Sequence, residues 1–126
     1  MSNKIKVLIV DDEIDVLETL QSVLETRGFE IKGVADVLNI LDNIKEFNPS
    51  VILLDVNLKN SNGGKICKYL KSSGAADKIP ILLFSGDTKI KDEYQLHAAD
   101  GFIEKPVKIS HLVSALNNAY QKGVEN

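Results

Sequence analysis

An α/β fold is predicted, a doubly wound five-stranded parallel sheet in the order 2-1-3-4-5, on three observations. Apolar runs alternate strictly with helical patterns, five of each, and that alternation builds a parallel sheet with helices on both faces. Three of the runs, Val7 to Val10, Val51 to Leu54 and Ile79 to Phe84, are apolar almost throughout, as strands buried on both sides must be. The second and fifth runs are shorter or alternate with polar residues, as edge strands do, which leaves the first, third and fourth at the centre of a common doubly wound order.

Each element has its own warrant. Lys6 to Val10 forms the first strand, and Ile14, Leu17, Leu20 and Leu24 then repeat at helical spacing until Gly28 closes the helix. Phe29 to Val34 is a weaker strand with Glu30 and Lys32 alternating. Val37, Leu38, Ile40, Leu41, Ile44 and Phe47 make the apolar face of a second helix, stopped by Asn48-Pro49. The third strand ends in Asp55. A polar loop from Lys59 to Gly64 leads into a helix carrying Ile66, Cys67 and Leu70, which stops at Ser72-Ser73-Gly74. The fourth strand runs into Ser85-Gly86-Asp87, and a more polar helix is expected from about Lys89 to His97. Gly101-Phe102-Ile103 is a short strand before Glu104-Lys105-Pro106, and the last helix presents Ile109, Leu112, Val113, Leu116 and Tyr120.

Composition narrows the class. The 126 residues fit one domain, 1–126 with a core of about 4–120, and no output domain is expected after Tyr120. A hydrophobic fraction of 44% and a charged fraction of 26% are those of an ordinary globular protein. A net charge of −3 with interspersed signs argues against direct nucleic-acid binding by bulk electrostatics. One cysteine, Cys67, allows no internal disulfide. No run approaches the ~20 residues of a membrane span, and the amino terminus lacks a signal-peptide pattern. A cytoplasmic protein without membrane insertion is expected.

The chemistry collects at one edge of this sheet. In doubly wound sheets, ligands bind beyond the carboxyl ends of the strands, where the strand order reverses. The first strand ends there in Asp11-Asp12 and the third in Asp55. Like charges ~4 Å apart at an effective dielectric near 20 repel by about 4 kcal/mol. Either a carboxylate takes a proton or a cation sits among them, and hard oxygen ligands in a shallow crevice suit Mg²⁺. The fourth strand delivers the hydroxyl of Ser85 and the fifth the ammonium of Lys105. A hydroxyl, an ammonium and a divalent cation around one carboxylate suit a transferring phosphoryl group, with Asp55 as nucleophile.

These residues stand as VDDE at 10–13, LLDVNL at 53–58, Gly63, FSG at 84–86 and DGFIEKP at 100–106. In that order, at those strand ends, the sequence resembles the receiver domain of two-component response regulators, with its (βα)5 CheY-like, flavodoxin-like fold. The resemblance covers about Lys4 to Tyr120. It implies that Asp12 and Asp55 bind Mg²⁺, with Asp11 nearby or through water and the Asn57 carbonyl as a further ligand. It implies phosphorylation of Asp55 by a sensor histidine kinase or histidine phosphotransfer protein, with Ser85 and Lys105 gripping the phosphoryl oxygens. Phe102 takes the place of the switch aromatic, working with Ser85, and the Lys105-Pro106 bond is expected to be cis. Effector or self-dimer contacts are expected on the face of the fourth helix, fifth strand and fifth helix (the α4-β5-α5 face), where Lys89, Lys91, Tyr94 and Phe102 lie. Such a protein catalyses its own phosphorylation and hydrolysis, yet its product is a conformational signal rather than a released chemical.

Two departures stand out. Lys59 occupies a position where the family usually has proline, and Ser85 replaces the commoner threonine. Other readings fit less well. A haloacid-dehalogenase-type phosphohydrolase needs a second Asp where Asn57 stands, and a flavodoxin's phosphate would be repelled by Asp11-Asp12-Glu13. A degenerate receiver would lack groups that are all present here. Read singly, Asp12 could be a helix N-cap, Lys105 a solvated lysine and Phe102 a core residue. Lys65, Lys68 and Lys71 read as a solvated helix face, His97 and His111 as partly exposed helix residues, and Cys67 as buried and inert.

Overall fold

In the computed structural model, residues 4–59, 61–87, 89 and 98–125 are described. The strands are β1 (Lys6–Val10), β2 (Glu30–Val34), β3 (Val51–Asp55), β4 (Ile81–Ser85) and β5 (Gly101–Glu104). They form one parallel sheet in the order β2-β1-β3-β4-β5, as the alternation predicts. The helices are α1 (Ile14–Thr26), α2 (Ile40–Phe47), α3 (Gly63–Ser72) and the last helix, Ile109–Glu125. The expected fourth helix, with Lys91, Tyr94 and His97, lies outside the described residues. Among the described residues no helix is long and apolar enough to cross a membrane.

The consecutive apolar residues of the central strands divide between two cores, because successive side chains leave opposite faces of a strand. Val7, Ile9, Val51, Leu53, Leu82 and Phe84 pack with Leu17, Leu20 and Leu24 of α1 and with Leu112 and Leu116 of the last helix. Leu8, Val10, Ile52, Leu54, Ile81 and Leu83 pack with Ile40 and Ile44 of α2 and with Cys67 and Leu70 of α3. The sheet is thus the middle of three layers, and all of β3 and β4 is buried.

Local chemistry ends the elements where the sequence indicates. Gly28 has φ +90. The Phe29 N–H reaches Leu24 O at 3.2 Å and the Gly28 N–H reaches Glu25 O at 3.2 Å, the paired bonds of a Schellman cap. Asn48, with φ 53, ends α2 in the left-handed conformation before Pro49.

Four details correct the sequence reading. The apolar face expected from Val37 to Phe47 is not one α-helix. Val37–Asn39 is a 3-10 turn, held by the Leu38 N–H donating to Asp36 Oδ1 at 2.9 Å, and its tighter winding shifts Leu38 off the core face. Leu38 is 86% exposed. Strand four starts at Ile81 rather than Ile79, since Pro80 has no N–H for a ladder. The polar loop before α3 contains a short antiparallel ladder, Asn57–Leu58 with Ser61–Asn62. Asn62 caps α3 through the Lys65 N–H, so Gly63 and Gly64 form its first turn. Lastly, Lys71 is not part of a solvated face. Its ammonium meets Asp100 Oδ2 at 2.9 Å and donates to Ile79 O at 2.6 Å. Lys65, Lys68 and His111 are exposed. Cys67 is buried, and burial pushes its thiol up to about 11, so it stays protonated and unreactive near neutral pH.

Candidate functional site

The parallel register sets the site. Val10 pairs with Leu54, Asp55 with Phe84, and Ser85 with Glu104. The residues one step past the ends of β1 and β5 therefore reach the same rim as Asp55 and Ser85. Those residues are Asp11 and Lys105. The Lys105 N–H donates to Ser85 O at 2.9 Å, and the Lys105-Pro106 bond is cis as expected.

Asp11 is fully buried, Asp55 is 2% exposed and Asp12 is half-buried. An oxygen from each of the three carboxylates lies within 4.8 Å of the others. The carboxylates are held in different ways. Asp11 Oδ1 accepts the Glu13 N–H at 2.9 Å, and Asp55 Oδ1 accepts the Asn57 N–H at 3.0 Å. Asp12 Oδ2 accepts the Lys59 N–H at 2.6 Å, from a residue 47 positions away. Asp12 is therefore not an N-cap. That position belongs to Glu13, whose side chain makes no capping bond.

Lys105 Nζ lies 3.3 Å from Asp55 Oδ2, 3.6 Å from Asp11 Oδ2 and 4.4 Å from the centre of the Phe84 ring. One ammonium pairs with two of the three carboxylates, and the charge left over in the group, −2, is what a divalent cation would balance. Asp11 Oδ2 has no hydrogen-bond donor although it is fully buried, a costly state for a charged oxygen. The Lys105 ammonium at 3.6 Å is too far to donate, and a hard cation would supply the missing contact, so the donor set fits Mg²⁺. The Asp55 carboxyl registers the crowding. Burial above all, then the neighbouring Asp11 charge, outweigh the Asn57 N–H and the Lys105 ammonium and push it from 3.8 up to about 6.

Ser85 is fully buried. Its Oγ accepts the Asp87 N–H at 3.0 Å and the Asn57 side-chain amide at 3.4 Å. With both lone pairs so used, the hydroxyl proton is left to donate. Asn57 stands exposed at the rim with its N–H on Asp55 and its amide on Ser85. Phe102 is the one expected site residue set back from this group. It lies half-buried on β5, two residues before the register partner of Ser85, against the core shared with α2 and α3. Lys89 is exposed and its N–H donates to Asp87 Oδ1 at 2.9 Å.

Two further contributors act through the backbone, the second of them already among the quoted motif residues. One is the Lys59 N–H, for which the only signal is that residue 59 is not proline. The other is Gly63. A Cβ there would collide with the Asp55 carbonyl oxygen and the Val56 Cα, and its N–H donates to Val56 O at 3.0 Å. Glycine lets α3 begin directly against the backbone of the acidic cluster.

The chain is similar to known proteins along most of its length. Protein RcaC of Microchaete diplosiphon is 31% identical over 119 residues, 93% of this chain and 18% of its own length. Response regulator protein GraR of Staphylococcus aureus is 26% identical over 122 residues, 95% of this chain and 53% of its own length. The chain therefore spans about half, or less, of the curated relatives it matches. Chemotaxis protein CheY4 of Vibrio cholerae superimposes with a TM-score of 0.83 at 27% identity, covering 92% of this chain and 98% of that one. The family model for the response regulator receiver domain matches residues 7–117, which takes in all five strands but for Lys6 and each acid at their carboxyl ends. The chain belongs to the response regulator receiver domain family of two-component signalling.

Proposed function

We propose that Asp55 accepts a phosphoryl group from a phosphohistidine donor, on a sensor histidine kinase or histidine phosphotransfer protein, in a Mg²⁺-dependent reaction. The observation that carries this is the setting of Asp55, a buried carboxylate grouped with the buried Asp11 around one ammonium, that of Lys105, with the buried Ser85 hydroxyl at the end of the neighbouring strand. An Asp55 oxygen attacks phosphorus, the P–N bond to the donor imidazole breaks, and the imidazole keeps the bonding pair. Lys105 Nζ, already 3.3 Å from Asp55 Oδ2, pairs with one phosphoryl oxygen. The Ser85 hydroxyl donates to another. Asp12 and Asp55, with Asp11 behind them and the Asn57 carbonyl beside them, would hold Mg²⁺. When bound, the ion neutralises charge on the phosphoryl oxygens and on the crowded acids.

The phosphoryl group adds about −1.5 to −2 charge, and a switch follows if that charge binds one conformer better than another. Ser85 drawn toward it would free space into which Phe102 turns. The altered surface would be that of β5 and the last helix with the segment before β5, where an effector or a second copy docks. The chain acts on itself, so its output is a conformational signal rather than turnover of a substrate.

The test is incubation with acetyl phosphate and Mg²⁺ followed by intact-mass measurement. One phosphoryl adduct is expected on the wild type and none on Asp55→Asn. An adduct that persists in Asp55→Asn would move the acceptor to another residue. Amide shifts on phosphorylation should reach Phe102 and the exposed face of the last helix. Changes confined to α1 and α2 would contradict the switch.

A further inference from the structure

We propose that the outer face of α2 and α3 is a self-complementary docking surface for a second copy of this chain, related to the first by a two-fold axis parallel to the helices. Neither phosphorylation nor Mg²⁺ is needed for it.

α2 packs over β1 and β2, and α3 over β3 and β4, on the same side of the sheet, so the two helices lie side by side. Each returns from the carboxyl end of one parallel strand to the amino end of the next, so they point the same way. Their solvent faces differ in charge. α3 holds three lysines and no acid. Lys65 and Lys68 are exposed, whereas Lys71 is paired with Asp100. α2 exposes Asp42 and Glu46 with Lys45 between them, and the exposed Asp36 precedes it. Apolar groups stand among these charges. Five large apolar side chains are exposed among the described residues, and three of them are Leu38 before α2, Leu41 on α2 and Tyr69 on α3. Single exposed apolar residues are ordinary, but three on one two-helix face make a patch rimmed by charge.

A face that carries both signs can close on itself. The two-fold axis lays α2 of each copy along α3 of the other, in the same direction, so every contact is made twice and the assembly stops at two. The heights along the helices match. Asp42 and Lys65 are each the third residue of their helix, and Glu46 and Tyr69 each the seventh, with Lys68 one before. Acids of one copy therefore meet lysines of the other, and Leu38, Leu41 and Tyr69 leave water in the same contact. The occupant that fits is the chain itself. A uniformly acidic partner would be repelled at α2 and a uniformly basic one at α3.

The experiment is sedimentation equilibrium of the unphosphorylated protein over a concentration series, in low salt and in about 1 M salt, where charges are screened beyond about 3 Å. Dimers are expected in low salt, with dimerisation weaker by about tenfold or more in about 1 M salt. Lys65→Glu with Lys68→Glu, and Asp42→Lys with Glu46→Lys, should each dimerise about tenfold or more weakly than wild type, since each sets like charges face to face. Mixed in equal amounts, the two variants should pair about as tightly as wild type, because one then presents acids on both helices and the other lysines. All four positions are exposed, and thermal melts verify folding. Asp55→Asn should dimerise like wild type, which keeps this outcome separate from that of the phosphorylation test. A wild type that stays monomeric in low salt overturns the proposal. So does self-association that neither reversal weakens, which would belong to another face, or growth beyond the dimer. Reversed variants that fail to pair when mixed overturn it as well.

Discussion

Both ends of the sheet carry ion pairs, and they are built to opposite plans. At the amino end of β4 and β5, Lys71 Nζ meets Asp100 Oδ2 at 2.9 Å and donates to Ile79 O at 2.6 Å, while Asp100 Oδ2 also takes the Ile81 N–H at 2.8 Å. One cation faces one anion, and both have hydrogen bonds to spare for the backbone. At the carboxyl end, three carboxylates cluster and Lys105 pairs with two of them, at 3.3 and 3.6 Å, while Asp11 Oδ2 has no hydrogen-bond donor. The first arrangement ties α3 to the starts of two strands and serves stability. The second keeps negative charge in excess, which costs stability and, on the function proposed above, suits a cation and a phosphoryl group.

The largest effect separating the two ends should appear in phosphorylation rate. Lys105→Ala removes an electrostatic partner of the phosphoryl oxygens and should slow incorporation from acetyl phosphate by about 10²-fold or more. Lys71→Ala should match the wild type in the same intact-mass time course. If the two variants slowed alike, the contrast between the ends would vanish.

A smaller effect lies in stability without metal. The Asp55 carboxyl is raised to about 6 in the folded chain. Below about pH 3.8 both folded and unfolded states hold its proton, and the group makes no difference. As pH rises from about 3.8 to about 6 the unfolded chain releases this proton while the folded chain still holds it, so stability falls across that window and is level above it. Asp55→Asn should therefore be more stable than wild type at pH 7 without divalent ions, by about 1–3 kcal/mol. The gain should fade toward pH 4, and urea unfolding at both pH values reads it. Equal stability at pH 7 would mean that the excess charge is already compensated.

The smallest effect belongs to the amino end. Lys71→Ala should lower stability by about 1–2 kcal/mol, for a partly exposed ion pair and one hydrogen bond. Its Mg²⁺ affinity should be unchanged. A shift in that affinity would show that the two ends are coupled through α3.

Much of this was legible in the sequence because it is written in side-chain identity. Fully apolar runs marked the strands buried on both faces, and so the strand order. The order then fixed where Asp11, Asp12, Asp55, Ser85 and Lys105 would meet. What stayed hidden depends on the backbone or on distant partners. Leu38 keeps the apolar period yet is exposed, since a 3-10 turn changes the angle between residues. Lys71 looks like its exposed neighbours Lys65 and Lys68, and only the loop carrying Asp100 tells it apart. The adjacent acids Asp11 and Asp12 are equivalent on paper, but one is buried under Lys105 and the other is held across the cleft by a backbone N–H.

Gly63 sets a limit on how this chain can vary. Its α-carbon lies so near the Asp55 carbonyl that a single methyl group has nowhere to go, whereas a methyl at Gly86 would meet nothing nearer than Lys105 Cβ at 4.0 Å. Saturation libraries over the two positions should accordingly return glycine alone at 63 and tolerate alanine at 86. For anyone redesigning the loop after β3, the joint between β3 and α3 is the fixed point around which every other choice has to be made.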